Sequence, residues 1–197
     1  MREHSINSLD NFIAGWYFED LSICDEIIKF HNSSKSKIAG VIGKNIGSQN
    51  IPVVDKTHKD SVDCVLEGDM LSKYFTSLKD IVDAYIKKYP YCNNYSPWRI
   101  IDRVNIQYYP CNGGYHAWHT ERMAANPNII SSRHLTFITY LNTVDDKGET
   151  EFLHQKISVK AEKGLTIIWP VDWTFTHRGI ASPSEEKYIV TGWFNFV

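Results

Sequence analysis

The sequence contains no long apolar run and no block of like charge. Without a stretch of about twenty apolar residues it offers no bilayer-spanning helix, and the opening Met1-Arg2-Glu3-His4-Ser5 leads into no apolar signal core. A soluble cytoplasmic protein is the expectation. The formal charge is only −2, from 21 Lys plus Arg against 23 Asp plus Glu, so neither nucleic acid nor a membrane surface is an expected partner. The four cysteines, Cys24, Cys64, Cys92 and Cys111, include no close pair, which indicates neither a zinc knuckle nor a disulfide framework. They read as reduced packing residues. No repeat at solenoid periods and no shift in composition marks a second domain. What is present, 43% hydrophobic and 13% aromatic residues in a chain of 197, suits one globular domain with a sizeable core.

Two helices are expected in the first half, after a short aromatic strand over Phe12–Phe18. Ser22 is placed to cap a helix over Ile23–His31, in which Cys24, Ile27, Ile28 and His31 recur at helical spacing. The second helix is clearer, because Leu71, Tyr74, Phe75, Leu78, Ile81, Val82, Tyr85 and Ile86 keep the i, i+3, i+4 stripe until Pro90 stops it. Between them, the polar run Asn32–Lys37 and the glycines Gly40, Gly43 and Gly47 read as loop. From Trp98 onward the chain turns to short β-branched and aromatic segments at Ile100–Tyr109, Leu135–Leu141, Ile157–Val159, Leu165–Trp169 and Tyr188–Phe196. Helices followed by strands predict an α+β, mainly β architecture, with the helices packed on one face of a sheet sandwich or barrel.

The chemistry lies in Tyr108-Tyr109-Pro110-Cys111-Asn112-Gly113-Gly114-Tyr115-His116-Ala117-Trp118-His119-Thr120-Glu121. On an extended segment, residues two apart face the same way, so His119 and Glu121 can meet one metal ion. A lone His-x-Glu pair is common by chance, but His177 can supply a third ligand. Two histidines and one carboxylate leave coordination positions open, as in non-heme Fe(II) oxygenases. Ten residues beyond His177, Lys187 opens a strand whose alternation puts Lys187, Ile189, Thr191 and Trp193 on one face. If that face is buried, the ammonium requires an anion, and a bound dicarboxylate would supply it. Otherwise Lys187 is a strand-end lysine reaching solvent.

With these residues in place, the second half, about residues 98 to 197, resembles the Fe(II)/2-oxoglutarate-dependent dioxygenases, and within them the prolyl 4-hydroxylase-like group. The resemblance rests on Tyr108-Tyr109-Pro110, Gly113-Gly114-Tyr115, His119-Thr120-Glu121, Tyr140-Leu141-Asn142, Gly148-Glu149-Thr150-Glu151-Phe152, His177 and Lys187. Trp193 also resembles the tryptophan of the cellular oxygen-sensing prolyl hydroxylases. The resemblance implies a double-stranded β-helix, or jelly roll, as the catalytic core over 98–197, with the helices of 1–97 supporting its larger sheet. It further implies His119, Glu121 and His177 as iron ligands. Lys187 and Tyr140 would bind the 5-carboxylate of 2-oxoglutarate, and Tyr109 would lie near the cosubstrate's other end. Tyr108 is the alternative there, since only one of two adjacent residues faces the pocket. Tyr115, Arg178, Thr191 and Trp193 are candidate pocket or substrate residues, with Arg178 equally suited to a surface acid. Fe(II) and 2-oxoglutarate are the implied cofactors, ascorbate an optional one, and a prolyl residue of a peptide or protein the implied substrate, with a small molecule as the alternative.

One position departs from the family, which usually carries His-x-Asp. Glu121 has one more methylene, in a kind of site where geometry is held to about half an ångström. Glutamate serves in the related Jumonji-type oxygenases. If the site merely tolerates the longer side chain, Glu121→Asp should keep substantial activity. The other histidines are weaker candidates. His116 and His119 face opposite ways on an extended segment, which makes His116 a rim residue, while His134 and His154 read as surface or capping residues. Two rival functions stand beside the dioxygenase: a non-catalytic jelly-roll binding module and a zinc hydrolase. Lys187 and Tyr140 discriminate against the latter, which has no use for a cation and a phenol set to hold a dicarboxylate.

Overall fold

The computed structural model describes residues 1–6, 11–46, 49–122 and 132–197. In chain order the first half supplies β1 (Glu3–His4), β2 (Ala14–Tyr17), α1 (Ser22–Ser33), β3 (Ile38–Ala39), β4 (Ile42–Ile46), β5 (Gln49–Val53), β6 (Val62–Val65) and α2 (Gly68–Lys88). The second half supplies β7 (Trp98–Arg99), β8 (Asn105–Tyr109), β9 (Arg133–Tyr140), β10 (Thr150–Phe152), β11 (Ile157–Val159), β12 (Leu165–Pro170), β13 (His177–Gly179) and β14 (Lys187–Phe196).

Among the described residues, a nine-stranded sheet runs β1-β2-β12-β9-β14-β8-β6-β3, with β7 also paired to β14, and a small sheet runs β11-β10-β13. Strand periodicity gives the large sheet two different faces. On β14, Val190 and Phe194 join a core with Ile23, Cys24 and Ile27 of α1 and Tyr74, Leu78, Ile81 and Tyr85 of α2. Ile189 of the same strand packs on the opposite side with Tyr109, Tyr140, Trp169, Phe152 and Val159, where the small sheet lies. Helices cover one face of the large sheet and the small sheet covers part of the other. This is the jelly roll expected from the sequence. Beneath α2 the apolar layer is stitched by a buried chain of hydroxyls, Tyr74 Oη to Thr139 Oγ1 at 2.7 Å and Thr139 to Thr166 Oγ1 at 2.6 Å. Each buried oxygen has its partner, so the polar groups add order without leaving a desolvated orphan.

The structure corrects several expectations. Ser22 is the first helical residue of α1 rather than its cap, and its N–H donates to Asp20 Oδ1 at 2.8 Å. The stretch read as loop contains β3 and the β4–β5 hairpin, which pairs Ile42 with Val53 through Ile46 with Gln49. Gly47 lies outside the described residues. Short paired strands with interspersed glycine and asparagine lack both helical period and sustained alternation, so the polar composition misled. The strand expected over Ile100–Tyr109 is regular only in β8, with β7 separate. Residues 1–97 also contribute β1, β3 and β6 to the large sheet, beyond the two helices and the Phe12–Phe18 strand anticipated there, the last of which is β2. Among the described residues, no helix is long and apolar enough to cross a membrane.

Ile81 has no exposed surface at the α2–sheet contact. Ile81→Ala should therefore cost about 2–5 kcal/mol, lowering the urea midpoint without changing its slope. The neighbouring Asp80, on the exposed face of α2, should tolerate Ala within about 0.5 kcal/mol.

Candidate active site

Three elements converge at one end of the cavity between the sheets. His119 lies in an extended segment opposite His177, the first residue of β13, and the two exchange both backbone hydrogen bonds, His119 N–H to His177 O and His177 N–H to His119 O, each 3.0 Å. Directly opposed residues of an antiparallel pair present their side chains on the same face. The imidazole centroids accordingly lie 4.3 Å apart. Glu121 follows in a turn, not on a strand as the two-residue spacing suggested, yet its Oε1 comes within 3.2 Å of His177 Nε2.

The donor set fits a metal ion. One ligand atom from each of His119, Glu121 and His177 lies within 4.8 Å of the others. Ligands about 2.1 Å from an ion and at right angles would be about 3 Å apart, close to the separation of His177 and Glu121. Tautomers are set by the backbone. Nδ1 of His119 donates to Ala117 O at 3.0 Å and Nδ1 of His177 to Phe175 O at 2.9 Å, leaving each Nε2 as a lone pair toward the cluster. Burial, reinforced by the neighbouring His177, pushes His119 down to about 3, so its ring is neutral and able to ligate at physiological pH. Burial alone would raise the Glu121 carboxyl, but the close contact with His177, with smaller contributions from His119 and Arg133, holds it below the usual range. It is a carboxylate.

Lys187, opposite Tyr109 in the β14–β8 pairing, lines the same cavity of about 180 Å³. It is 4% exposed, and its Nζ donates to Gly148 O at 2.9 Å and Ile180 O at 3.1 Å. Gly148 sits at φ 84°, a conformation natural to glycine, and a Cβ there would lie 2.6 Å from Val144 Cγ1. Among the described residues no carboxylate stands within salt-bridge distance of this ammonium. Burial pulls it down to about 8, against a weaker upward pull from Glu149. The solvent-reaching alternative for Lys187 is thereby removed.

Other candidates divide by face. Tyr140 lines the cavity and donates to Thr150 Oγ1 at 2.7 Å, and Tyr109 lines it and donates to Gln107 Oε1 at 2.6 Å. Burial raises both phenols, keeping them protonated donors. Tyr108 points away, with its ring 4.7 Å from Tyr188 and its Oη on Glu186. Tyr115 stacks flat on His119, centroids 3.7 Å apart and planes 8° from parallel, while Thr191 and Trp193 line the cavity as alternation required. Arg178 pairs with the acid Glu151 at 2.8 Å and lies over Trp118. His134 hydrogen-bonds Cys92 O, and His154 meets Trp173 edge-on.

Lys59, Gln107, Thr150 and Arg133 also line the cavity and were not singled out from the sequence. Gln107 could have been found as the i−2 neighbour of Tyr109, and Thr150 from the Gly-x-Thr-x-Phe segment. Lys59 gave no signal, since it stands in a polar run and is drawn inward by its pairing with Tyr115 and its 2.6 Å contact with Asp63.

Residues 104–195 match the sequence profile described as the 2OG-Fe(II) oxygenase superfamily. No curated protein matches the chain. The fold is similar to that of a prolyl hydroxylase from Trichoplax adhaerens in complex with a hypoxia inducible factor oxygen degradation domain peptide, at TM-score 0.70 and 17% identity over 98% of this chain and 86% of that one. It is also similar to a Pseudomonas putida prolyl-4-hydroxylase, at TM-score 0.65 and 13% identity over 93% and 92%, and to a viral collagen prolyl hydroxylase from Paramecium Bursaria Chlorella virus-1 in complex with 2OG, at 0.63 and 16% over 95% and 97%.

His177→Ala should abolish tight Fe(II) binding, measured by metal analysis after anaerobic loading, while circular dichroism shows the fold retained. Glu121→Ala should do the same. Full iron occupancy in Glu121→Ala would remove the carboxylate from the ligand set.

Proposed function

From the match of residues 104–195 to the profile of the 2OG-Fe(II) oxygenase superfamily, we propose that the chain is a dioxygenase of that kind, which hydroxylates an unactivated C–H bond of a prolyl residue in a peptide or protein. In this reading 1–197 is one domain, residues 1–97 supporting the catalytic core of 98–197. His119, Glu121 and His177 hold Fe(II), and Lys187, Tyr140 and Tyr109 hold 2-oxoglutarate. When bound, these groups supply the oxidation: 2-oxoglutarate and O2 become succinate and CO2 while C–H becomes C–OH, one oxygen atom going to each organic product.

The observation that carries the reading is a buried ammonium with no carboxylate partner, sharing a cavity with a two-histidine, one-carboxylate cluster. Leaving such a charge unpaired costs several kcal/mol, and a dicarboxylate anchored at the cluster by one end would relieve it with the other. Lys187 supplies charge to the distal carboxylate and Tyr140 orients beside it. Ile138 and Ile189, apolar residues of the cavity wall, limit water around that ion pair. Tyr115, stacked on His119, keeps that ligand's ring plane fixed. A zinc hydrolase would leave Lys187 unexplained.

Peptide substrate is supported by the similarity of the fold to prolyl hydroxylases, one of them in complex with a peptide. Trp118, 37% exposed with Arg178 against its ring, offers an aromatic rim for an extended chain. Incubating the iron-loaded protein with proline-containing peptides, and scanning by mass spectrometry for the gain of one oxygen, tests this reading. Retention of unmodified peptide across proline contexts, with succinate still formed, would refute the prolyl substrate.

Lys187→Ala should raise the Michaelis constant for 2-oxoglutarate about thirtyfold or more, the effect of about 2–5 kcal/mol for a buried charge pair, with Fe(II) binding intact. The pH dependence follows with a definite sign. The ammonium is the binding form, and its proton is lost near pH 8 in the free protein, so affinity should be full below pH 7 and fall as pH rises through about 8. Lys187→Arg, always charged, should remove that fall. A Michaelis constant flat from pH 6.5 to 9.5 in the unaltered protein would contradict the assignment.

A further inference from the structure

Glu121 is held at both oxygens and at its backbone. Oε1 faces His177 Nε2, while Oε2 accepts the indole N–H of Trp193 at 2.7 Å. Arg133 Nη1 donates to the Glu121 backbone carbonyl at 2.9 Å and stands 3.8 Å from Oε2. The guanidinium is itself fixed, its Nε on Asp102 Oδ2 at 3.1 Å and its plane over the Trp193 ring with Cζ 3.7 Å from the centroid. Trp193 stands opposite Thr136 in the central β14–β9 pairing, and Arg133 begins β9. The tether therefore runs from the rigid sheet to a side chain that itself lies in a turn.

We propose that Trp193 and Arg133 are positioning residues that clamp Glu121, leaving one carboxylate oxygen for the metal and binding the other, and that this clamp makes the site specific for glutamate rather than aspartate. The proposal rests on the metal reading of His119, Glu121 and His177. Two physical requirements lead to it. A turn-borne glutamate has three rotatable side-chain bonds, whose freedom must be removed for the oxygen to stay in place. An N–H donor to the second oxygen also selects monodentate ligation, because that oxygen is engaged elsewhere. Aspartate at 121 is one methylene shorter and cannot meet the indole and the histidine cluster together. Glu121→Asp, expected from the sequence to keep substantial activity, should instead weaken the site.

The test is anaerobic titration with Co(II), whose visible absorption reports both affinity and coordination, on the full chain. The unaltered protein should bind. Trp193→Phe keeps the ring and loses the N–H, and should bind about ten- to a hundredfold more weakly with an altered spectrum, the effect of one charged hydrogen bond. Glu121→Asp should also bind more weakly, and adding Trp193→Phe to it should cost little more, because the partner oxygen is already out of reach. Arg133→Lys, which keeps the charge but loses the planar fork that reaches the Glu121 backbone carbonyl, should weaken binding in the Glu121 and the Asp backgrounds alike, because that carbonyl is present in both. It gives an independent reading if Trp193→Phe does not fold, and unchanged affinity in Arg133→Lys would remove Arg133 from the clamp. Equal affinity of Trp193→Phe and the unaltered protein overturns the clamp alone. So does an equal loss from Trp193→Phe in the Glu121 and Asp backgrounds, which would mark a merely structural tryptophan. Failure of the unaltered protein to bind Co(II) overturns the clamp together with the metal reading beneath it.

Discussion

The site depends on one reciprocal pair of backbone hydrogen bonds, between His119 and His177. Residues far apart in sequence become directly opposed, and the antiparallel geometry forces both imidazoles onto the face turned toward the large sheet. The pairing continues on either side. Gly179 N–H donates to Tyr115 O at 2.9 Å, and Phe152 on β10 stands opposite His177. The His-bearing segment thus acts as a further strand of the small sheet, although only isolated bridges mark it. Shifting this register by one residue would turn one imidazole outward and dissolve the donor set.

Charge is distributed to match. A carboxylate held in its ionised form and two histidines, each with Nε2 turned toward the cluster, sit at one end of the cavity, and an ammonium whose hydrogen bonds among the described residues go to carbonyls sits with them in the same space. Neither end is comfortable alone in a low-dielectric interior. Burial pulls the Lys187 ammonium below its usual range, and an anion bound beside it would offset that cost. Lys59 presents the contrast, because Asp63 already neutralises it. Of these two cavity-lining lysines, Lys187 is the one fitted for an external anion.

Much of the site was legible because its residues obey strand alternation. Lys187, Ile189, Thr191 and Trp193 line the cavity as a period of two demands, and the same rule selects Tyr109 over Tyr108 once β8 is paired. The apolar stripe of α2 was equally plain, since its tyrosines recur every three or four residues. What stayed hidden has a physical reason. The β4–β5 hairpin and β6 are short and polar or mixed; β4 and β5 pair only with each other among the described strands, and β6 acquires strand geometry from β8, a partner distant in sequence. Arg133 became important through its contacts with Trp193, Asp102 and Glu121, three residues that no local pattern connects. Glu121 was singled out as a candidate ligand by spacing on an extended segment, while the structure places it in a turn, in hydrogen-bond contact with Trp193 and Arg133.

The central claim is that this cavity couples 2-oxoglutarate breakdown to O2 at the His119, Glu121 and His177 cluster. Isotope labelling tests it without knowledge of the substrate. The Fe(II)-loaded protein, given 2-oxoglutarate under 18O2 in unlabelled water, should form succinate carrying one 18O atom in its new carboxylate, and should lose that product in His177→Ala. Iron-loaded protein that forms no succinate, or succinate without label from O2, would contradict the account.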